Sequence, residues 1–176
     1  RLRQQAYQHL GGWSHANFVH EGINIERLLQ QGTLQQAKKD AYALLQQSLQ
    51  AGEQAYAQAK YDMAMAHWLL GKVLKIGGLS TQALPYLQEA QQRFEALGEK
   101  GANMASAALG EQGDCLQTLG QIDAAAAVYS EAIRRDEQRK DMRGVAVGKI
   151  NLSDIYIDQK RYAAALQGYR EALQLF

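Results

Sequence analysis

Four histidines and one cysteine are the side chains in this sequence best suited to chemistry. The histidines are His9, His15, His20 and His67. A helical metal site needs ligands three or four residues apart, but His15 and His20 are five apart and no carboxylate-rich stretch completes a site. We therefore predict ordinary interface or surface histidines, with His67 at a helix-packing position, and we expect no metal and no other cofactor.

Cys115 is the only cysteine, so the chain can form neither a disulfide framework nor an all-cysteine zinc site. A nucleophilic cysteine needs exposure and an activating partner. No such partner stands three or four residues from Cys115 and no protease motif surrounds it, so we predict a buried small side chain. No motif in the sequence combines a nucleophile, a general base and a group that orients the base. The sequence therefore indicates that the chain is not an enzyme.

The composition argues against nucleic-acid and membrane partners. Nineteen Lys and Arg against eighteen Asp and Glu give a net charge of +1, and acids interleave the basic stretch from Arg134 to Arg143, so we expect no nucleic-acid binding. No apolar run approaches the roughly 18 residues that would suggest a membrane span. Good helix formers dominate. The composition therefore favours a soluble, cytoplasmic, all-α protein.

The elements that position the polar residues come from an internal repeat. Alanine recurs at 37, 83, 125 and 165, in steps of 46, 42 and 40 residues. A turn begins five positions before each of these alanines, and a small residue lies seven positions before each of the last three turns. The turn residues are Gly32, Gly78, Gly120 and Lys160, and the small residues are Gly71, Gly113 and Ser153.

This spacing predicts stacked helix hairpins. Small residues allow two helices to cross closely, and larger ones such as Leu87 and Tyr129 fill the space between them. Glycine in the turn supplies a left-handed backbone that ends the first helix. One hairpin cannot bury its own apolar face, so the hairpins must stack. We predict an N-cap at Ser14, a break at Gly52, and helices over 15–31, 34–51, 54–76, 81–97, 102–119, 123–138, 143–159 and 162–175.

The pattern resembles the tetratricopeptide repeat family over about residues 17–176. The last copy carries the resemblance best, in Asn151-Leu152-Ser153-Asp154-Ile155-Tyr156 followed by Tyr162, Ala165, Leu166, Tyr169, Glu171, Ala172 and Leu173. The family's usual repeat is about 34 residues. The longer steps here, with Glu95 and Glu137 in place of the closing proline, indicate the branch with repeats of about 40–42 residues. The resemblance implies an all-α fold, a right-handed αα-superhelix of antiparallel helix hairpins.

We expect one solenoid domain over 1–176, with helix pairs at 13–52, 53–99, 100–140 and 141–176. Residues 1–10 would be a leftover helix, the second helix of an earlier pair. A chain that begins with half a hairpin and ends on the apolar Phe176 is expected to be a piece of a longer protein. Terminal repeats left uncapped are apolar, so a homodimer through them is possible.

The resemblance also implies a concave groove, lined by the first helix of each pair, that holds a partner protein or peptide. Its predicted residues are Met65, Trp68, Lys72, Lys75, Glu111, Asp114, Gln117, Asn151, Asp154 and Asp158. Trp68 and Met65 have the composition of binding hot spots. The lysines would lie toward one side and the acids toward the other, so the acidic half would favour a basic segment.

We therefore predict a non-catalytic protein–protein interaction scaffold, of the kind found as a sensor or interaction segment in larger bacterial signalling or regulatory proteins. The alternative is a sensor of a small ligand or signalling peptide that switches a missing effector domain, with Trp68 and Lys72 in its pocket. An enclosed pocket would favour the sensor, and an open groove the scaffold. An acidic chaperone tail is not expected, because only Lys72 and Asn151 resemble its clamp and acids lie between them.

Overall fold

The computed structural model of the chain describes Leu2 and residues 12–176, and residues 12–176 form an all-α solenoid. The predicted leftover helix at 1–10 and His9 lie outside the described residues, apart from Leu2. Eight helices make up residues 12–176. They are α1 (His15–Gln30), α2 (Leu34–Ala51), α3 (Ala59–Ile76), α4 (Ser80–Glu95), α5 (Glu99–Thr118), α6 (Ile122–Gln138), α7 (Met142–Asp158) and α8 (Tyr162–Gln174).

The helices stack in chain order. Each packs mainly against the helices before and after it, and α3 also contacts α1 and α5 directly. The odd-numbered helices, the first of each pair, therefore lie side by side along one face, which we call the inner strip. No helix among the described residues is long and apolar enough to cross a membrane.

Turns with positive φ separate the two helices of each hairpin, as the repeat predicts. Gly32, Gly78 and Gly120 have φ of 71°, 79° and 76°, a region that costs glycine little because it has no Cβ. Lys160 occupies the same place in the last hairpin with φ of 59°, and Lys140, in the turn that follows α6, has φ of 58°. Two lysines thus take a backbone conformation that favours glycine.

The small residues of the repeat lie where paired helices cross. A Cβ added to Gly71 would lie 2.6 Å from the Leu87 side chain, and one added to Gly113 would lie 2.5 Å from the Tyr129 ring. Leu87 and Tyr129 are fully buried. The prediction that large residues of the second helix fill space left by small residues of the first is confirmed.

The structure corrects the predicted start of two helices. The third helix begins at Ala59, not at 54, because residues 53–58 form turns and the Tyr56 hydroxyl donates to the carboxylate of Asp62, 2.7 Å away. The fifth helix begins at Glu99, not at 102. Gly101 lies in its first turn, packed so closely against Phe94 that a Cβ at this position would overlap the Phe94 carbonyl. The break at Gly52, with φ of 84°, is confirmed.

The N-cap predicted at Ser14 is also confirmed. Its side-chain oxygen accepts a hydrogen bond from the backbone N–H of Asn17 at 3.3 Å. This satisfies one of the unpaired donors at the start of α1.

Candidate functional site

The ten residues predicted to line a groove all lie on the inner strip, on three odd-numbered helices. Helix α3 carries Met65, Trp68, Lys72 and Lys75, α5 carries Glu111, Asp114 and Gln117, and α7 carries Asn151, Asp154 and Asp158. Several of them bond to each other across neighbouring helices. That these residues bind a partner stays a prediction.

Lys75 joins α3 to α5. Its Nζ lies 2.9 Å from Oδ2 of Asp114 and forms a second ion pair with Glu111. Burial alone would lower the pKa of Lys75, but the hydrogen bonds to Glu111 and Asp114 raise it above its ordinary value. Lys75 is therefore held as a cation inside the inner strip, and its single positive charge offsets part of the negative charge of its two acidic partners.

Lys72 joins α3 to α1 in a similar way. Its Nζ lies 3.0 Å and 3.2 Å from the two carboxylate oxygens of Glu26 and 5.0 Å from the centre of the Trp68 ring. A cation at this distance is attracted to the face of the indole. The two lysines expected to make one side of the groove basic are thus both paired with acids of neighbouring helices.

Two groove acids are fixed by tyrosines in a contact that repeats along the chain. The Tyr129 hydroxyl donates to Asp114, and the Tyr169 hydroxyl donates to Asp154. Burial first, and then the bond to Asp114, raises the pKa of Tyr129 above its ordinary value. Sequence reasoning missed these bonds, although the common spacing of 15 residues between acid and tyrosine was a signal that could have revealed them.

The α7 end of the inner strip keeps its negative charge. Asp154 and Asp158 are exposed. Their side-chain partners are the hydroxyl of Tyr169 and the amide of Gln117, whose Nε2 lies 3.1 Å from Asp158. No lysine or arginine of the described residues forms an ion pair with either aspartate. Gln117 stands in the repeat where Lys75 stands one step earlier, so the cation that neutralises Asp114 has no counterpart here.

Two open clefts lie along the inner strip. The first, of about 510 Å³, separates α1 from α3 and is mainly apolar. Its wall includes the exposed side chains of Val19 and Ile23 together with Met65 and Trp68. Met65 and Trp68 are the predicted groove residues in its lining. The full lining is Phe18, Val19, Gly22, Ile23, Glu26, Arg27, Gln30, Met65, Trp68 and Leu69.

The second cleft, of about 370 Å³, lies between α5 and α7 over α6 and is more polar than the first. Of the predicted residues, it contains Glu111, Asp114 and Asn151, which the structure therefore brings together. It also includes Asp136 and Arg143, two charged residues that were not assigned to the groove. Asp136 is buried and accepts a hydrogen bond of 2.6 Å from the Ser106 hydroxyl.

The predictions for His67 and Cys115 are confirmed. His67 is buried, its Nδ1 lies 2.7 Å from the Met63 carbonyl oxygen, and burial lowers its pKa. Cys115 is fully buried, and this burial raises the pKa of its thiol. Both observations fit packing positions.

His15 has a partner that the sequence did not reveal. Its Nδ1 lies 2.7 Å from Oδ2 of Asp62, the same oxygen that accepts from Tyr56. Asp62 is buried, so the two donors compensate a carboxylate removed from water. Among the residues that the structure describes, no group of three or more His, Cys, Asp or Glu side chains could hold a metal ion.

Stacked hairpins with an open inner strip define a helical-repeat protein. Two models of the tetratricopeptide repeat match residues 62–138 and 148–176, together more than half of the chain. The chain therefore belongs to the tetratricopeptide repeat family, as its sequence resemblance predicts. Repeats of this family act as scaffolds that bind proteins or peptides, and they are generally non-catalytic.

A comparison with curated proteins gives no match. Among solved structures, the chain is similar to the crystal structure of nearly identical TPR-like repeats assigned to a kinesin light chain of Podosopora anserina. The two share 11% sequence identity over 89% of this chain and 93% of that chain, with a TM-score of 0.42.

Proposed function

We propose that the inner strip binds a segment of another protein and that the chain acts as a non-catalytic scaffold. The observation that carries this proposal is the pair of clefts on one strip, both open to solvent and different in polarity. A linear segment can contact both in sequence. A small ligand, by contrast, is usually enclosed over most of its surface, so the open clefts favour the scaffold over the small-ligand sensor.

The apolar cleft is the proposed anchor point. Trp68 and Met65 form one wall and Ile23, largely exposed, forms the other. An apolar side chain inserted there would remove exposed apolar surface from water, which is favourable by about 25 cal/mol per Å². Lys72 is already engaged by Glu26 over the Trp68 ring, so this cleft offers an anionic small ligand no free ammonium from that lysine.

The proposed partner segment carries basic residues at the α7 end of the strip. Asp154 and Asp158 are exposed and lack a basic partner, whereas Asp114 and Glu111 share the positive charge of Lys75. Charge complementarity would therefore act mainly at α7, where it would set orientation and association rate more than affinity. The negative charge that the sequence places on α5 and α7 is thus most available to a partner on α7.

The wider setting is also part of the proposal. We keep the prediction that the scaffold serves a larger signalling or regulatory protein in the cytoplasm, where its single buried cysteine requires no oxidising compartment. Self-association through the terminal repeat is proposed as well, since α8 leaves several large apolar side chains exposed.

A displayed library of random peptides tests the groove. We expect the parent chain to enrich peptides that combine an apolar anchor with basic residues. The enriched peptides should lose binding to an Asp154→Lys, Asp158→Lys variant and to Ile23→Glu. The matched controls are Glu137→Lys and Leu49→Glu, exposed residues on even-numbered helices. No enrichment, or equal binding by groove and control variants, would overturn the proposal.

A further inference from the structure

Large apolar side chains fill the space between α3 and α5 over α4. Phe94 of α4 is fully buried there, and Met65, Trp68 and Met104 pack against the same cluster. The interface of the second and third hairpins thus has the apolar filling of an ordinary protein interior.

The equivalent space between α5 and α7, over α6, has lost that filling. Smaller or polar residues stand at the corresponding positions one repeat later, 42 or 40 residues further on: Ala107, Gly110, Asp136 and Gly144 in place of Met65, Trp68, Phe94 and Met104. All four replacements line the cleft of about 370 Å³. The cleft therefore lies where the preceding interface has its apolar cluster.

Asp136 places a carboxylate on the α6 floor of this cleft. Its side chain is only 9% exposed, and its Oδ1 accepts hydrogen bonds from Ser106 at 2.6 Å and from Arg139 at 2.7 Å. Its Oδ2 accepts none from any described residue, and a Cβ added to Gly144 of α7 would lie 2.5 Å from it. Since a buried carboxylate is costly unless donors compensate it, this oxygen is available to a donor that enters the cleft.

The cleft also carries a net negative charge. Four carboxylates line it, those of Glu111, Asp114, Asp136 and Asp141. Arg143 is the cation in the lining, and Lys75 and Arg139 pair with the acids from outside it. Four negative charges against three positive ones leave one negative charge for a cationic ligand to neutralise.

We propose that this cleft, which we call the arginine slot, receives one arginine side chain of the partner segment. Its small or apolar wall residues, such as Ala107 and Val147, suit the aliphatic stem of an arginine, and its acids suit the charged head. A guanidinium presents five donors in one plane, which matches acceptors spread over α5, α6 and α7 better than the point charge of lysine does. The inference rests on the proposed function, because it names one residue of the segment bound on the inner strip.

The distance between the two clefts sets the position of this arginine in the segment. The arginine slot lies two odd-numbered helices beyond the apolar cleft. Packed helices are about 8–10 Å apart, so the two clefts are separated by roughly 16–20 Å. An extended chain rises about 3.3 Å per residue, so about five or six residues should separate the apolar anchor from the arginine.

A series of defined peptides tests the arginine slot. Each fluorescein-labelled peptide carries one leucine and one arginine, separated by two to ten glycine and serine residues, and matched peptides carry norleucine or lysine in place of arginine. At a separation of about five or six residues, the arginine peptide should bind the parent chain about tenfold more tightly than the norleucine peptide, with lysine intermediate. Equal affinity of the arginine and norleucine peptides would overturn the proposal.

Gly110→Trp closes the slot with the side chain that α3 carries at Trp68. A Cβ added at Gly110 would meet no atom of another element within 4 Å, so the fold should accept the substitution. The variant should lose the preference for arginine and bind the norleucine peptide like the parent. Gly110→Ala is the matched control and should keep the preference, and urea unfolding checks that both variants fold. A preference for arginine that survives in Gly110→Trp would contradict this location.

Arg143 allows a test in the opposite direction. It is exposed, lines the slot and forms no ion pair with an acid in the described part of the chain, so it repels an incoming guanidinium. Arg143→Gln should therefore tighten binding of the arginine peptide about threefold and leave the norleucine peptide unchanged. Weaker binding of the arginine peptide would count against a cationic ligand in this cleft.

Free L-arginine amide separates failure of the slot from failure of the proposed function. Added to the isotope-labelled chain, it should shift the backbone amide resonances of Gly144 and Gly148 in the parent and not in Gly110→Trp. If these resonances shift while no peptide binds, the slot stands and the proposed function fails. If the peptides bind without any preference for arginine and the amide shifts neither resonance, the slot is excluded and the proposed function stands.

Discussion

The hydroxyl of Tyr129 on α6 donates a hydrogen bond to Asp114 on α5, and Asp114 in turn pairs with Lys75 on α3. One acid thus connects three helices, α3, α5 and α6, that belong to two successive hairpins. Tyr169 repeats the first of these bonds with Asp154, but no lysine completes the second. The repeat therefore fixes the orientation of its inner-strip acids through tyrosine, and its copies differ in whether a cation pairs with the acid.

Removing the Tyr129 hydroxyl should destabilise the fold more than removing that of Tyr169. Tyr129→Phe leaves the buried ring in place but deprives a carboxylate of a donor, and hydrogen bonds to charged groups contribute about 1.5–3 kcal/mol. The hydrogen bond of Tyr169 to Asp154 is exposed to solvent, so Tyr169→Phe should cost less than about 1 kcal/mol. Urea unfolding of both variants measures the difference, and equal midpoints would contradict the ranking.

Replacing the two lysines of positive φ with glycine should stabilise the protein. Left-handed backbone costs a residue with a side chain roughly 1–2 kcal/mol, and glycine avoids this cost. Glycine also makes the unfolded chain more flexible, which lowers the free energy of unfolding by about 0.5–1 kcal/mol. A net gain of about 0.5–1 kcal/mol is therefore expected for Lys140→Gly and for Lys160→Gly, from thermal or urea unfolding. Gly78→Ala, at φ of 79°, is the reverse control and should lose stability. A loss in the lysine variants would show that their turns are not strained.

Acid should weaken the ion pairs on α6. Hydrogen bonds from Arg134 and Arg135 lower the pKa of Glu131 from 4.5 to about 2. Because the folded-state pKa is depressed, this stabilisation is present above pH 4.5 and is lost as the pH falls toward 2. Glu131→Gln should therefore flatten the acid limb of the stability–pH curve slightly, since the pair is exposed to solvent. The control is Glu137→Gln on the same helix; an unchanged limb in Glu131→Gln would contradict the assignment.

The sequence predicted the solenoid because its geometry depends on local spacing. Gly71 and Gly113 recur at the helix crossings, and the turn glycines mark each hairpin, so the helices could be placed without a structure. The pairing of Lys75 with Asp114, 39 residues away, depends on the distance and rotation between hairpins, which periodicity does not specify. For this reason the groove residues could be assigned to helices, but the ion pairs of Lys72 and Lys75 with acids of neighbouring helices could not be predicted.

The turn segment at 53–58 could not be predicted for a related reason, and it yields the last prediction. Its Tyr56 bonds to buried Asp62 beside His15, so one carboxylate ties the segment to the first turn of α3 and to the start of α1. Asp62→Ala should leave the half-buried Tyr56 hydroxyl without its acceptor and cost about 1–3 kcal/mol, whereas the exposed His15 can bond to water instead. Hydrogen exchange should then increase in residues 53–58 before it increases in α4, because the segment has lost its anchor. Tyr56→Phe removes a single donor and serves as the graded control. Uniform exchange along the whole chain in Asp62→Ala would indicate that Asp62 supports global stability and does not anchor this segment.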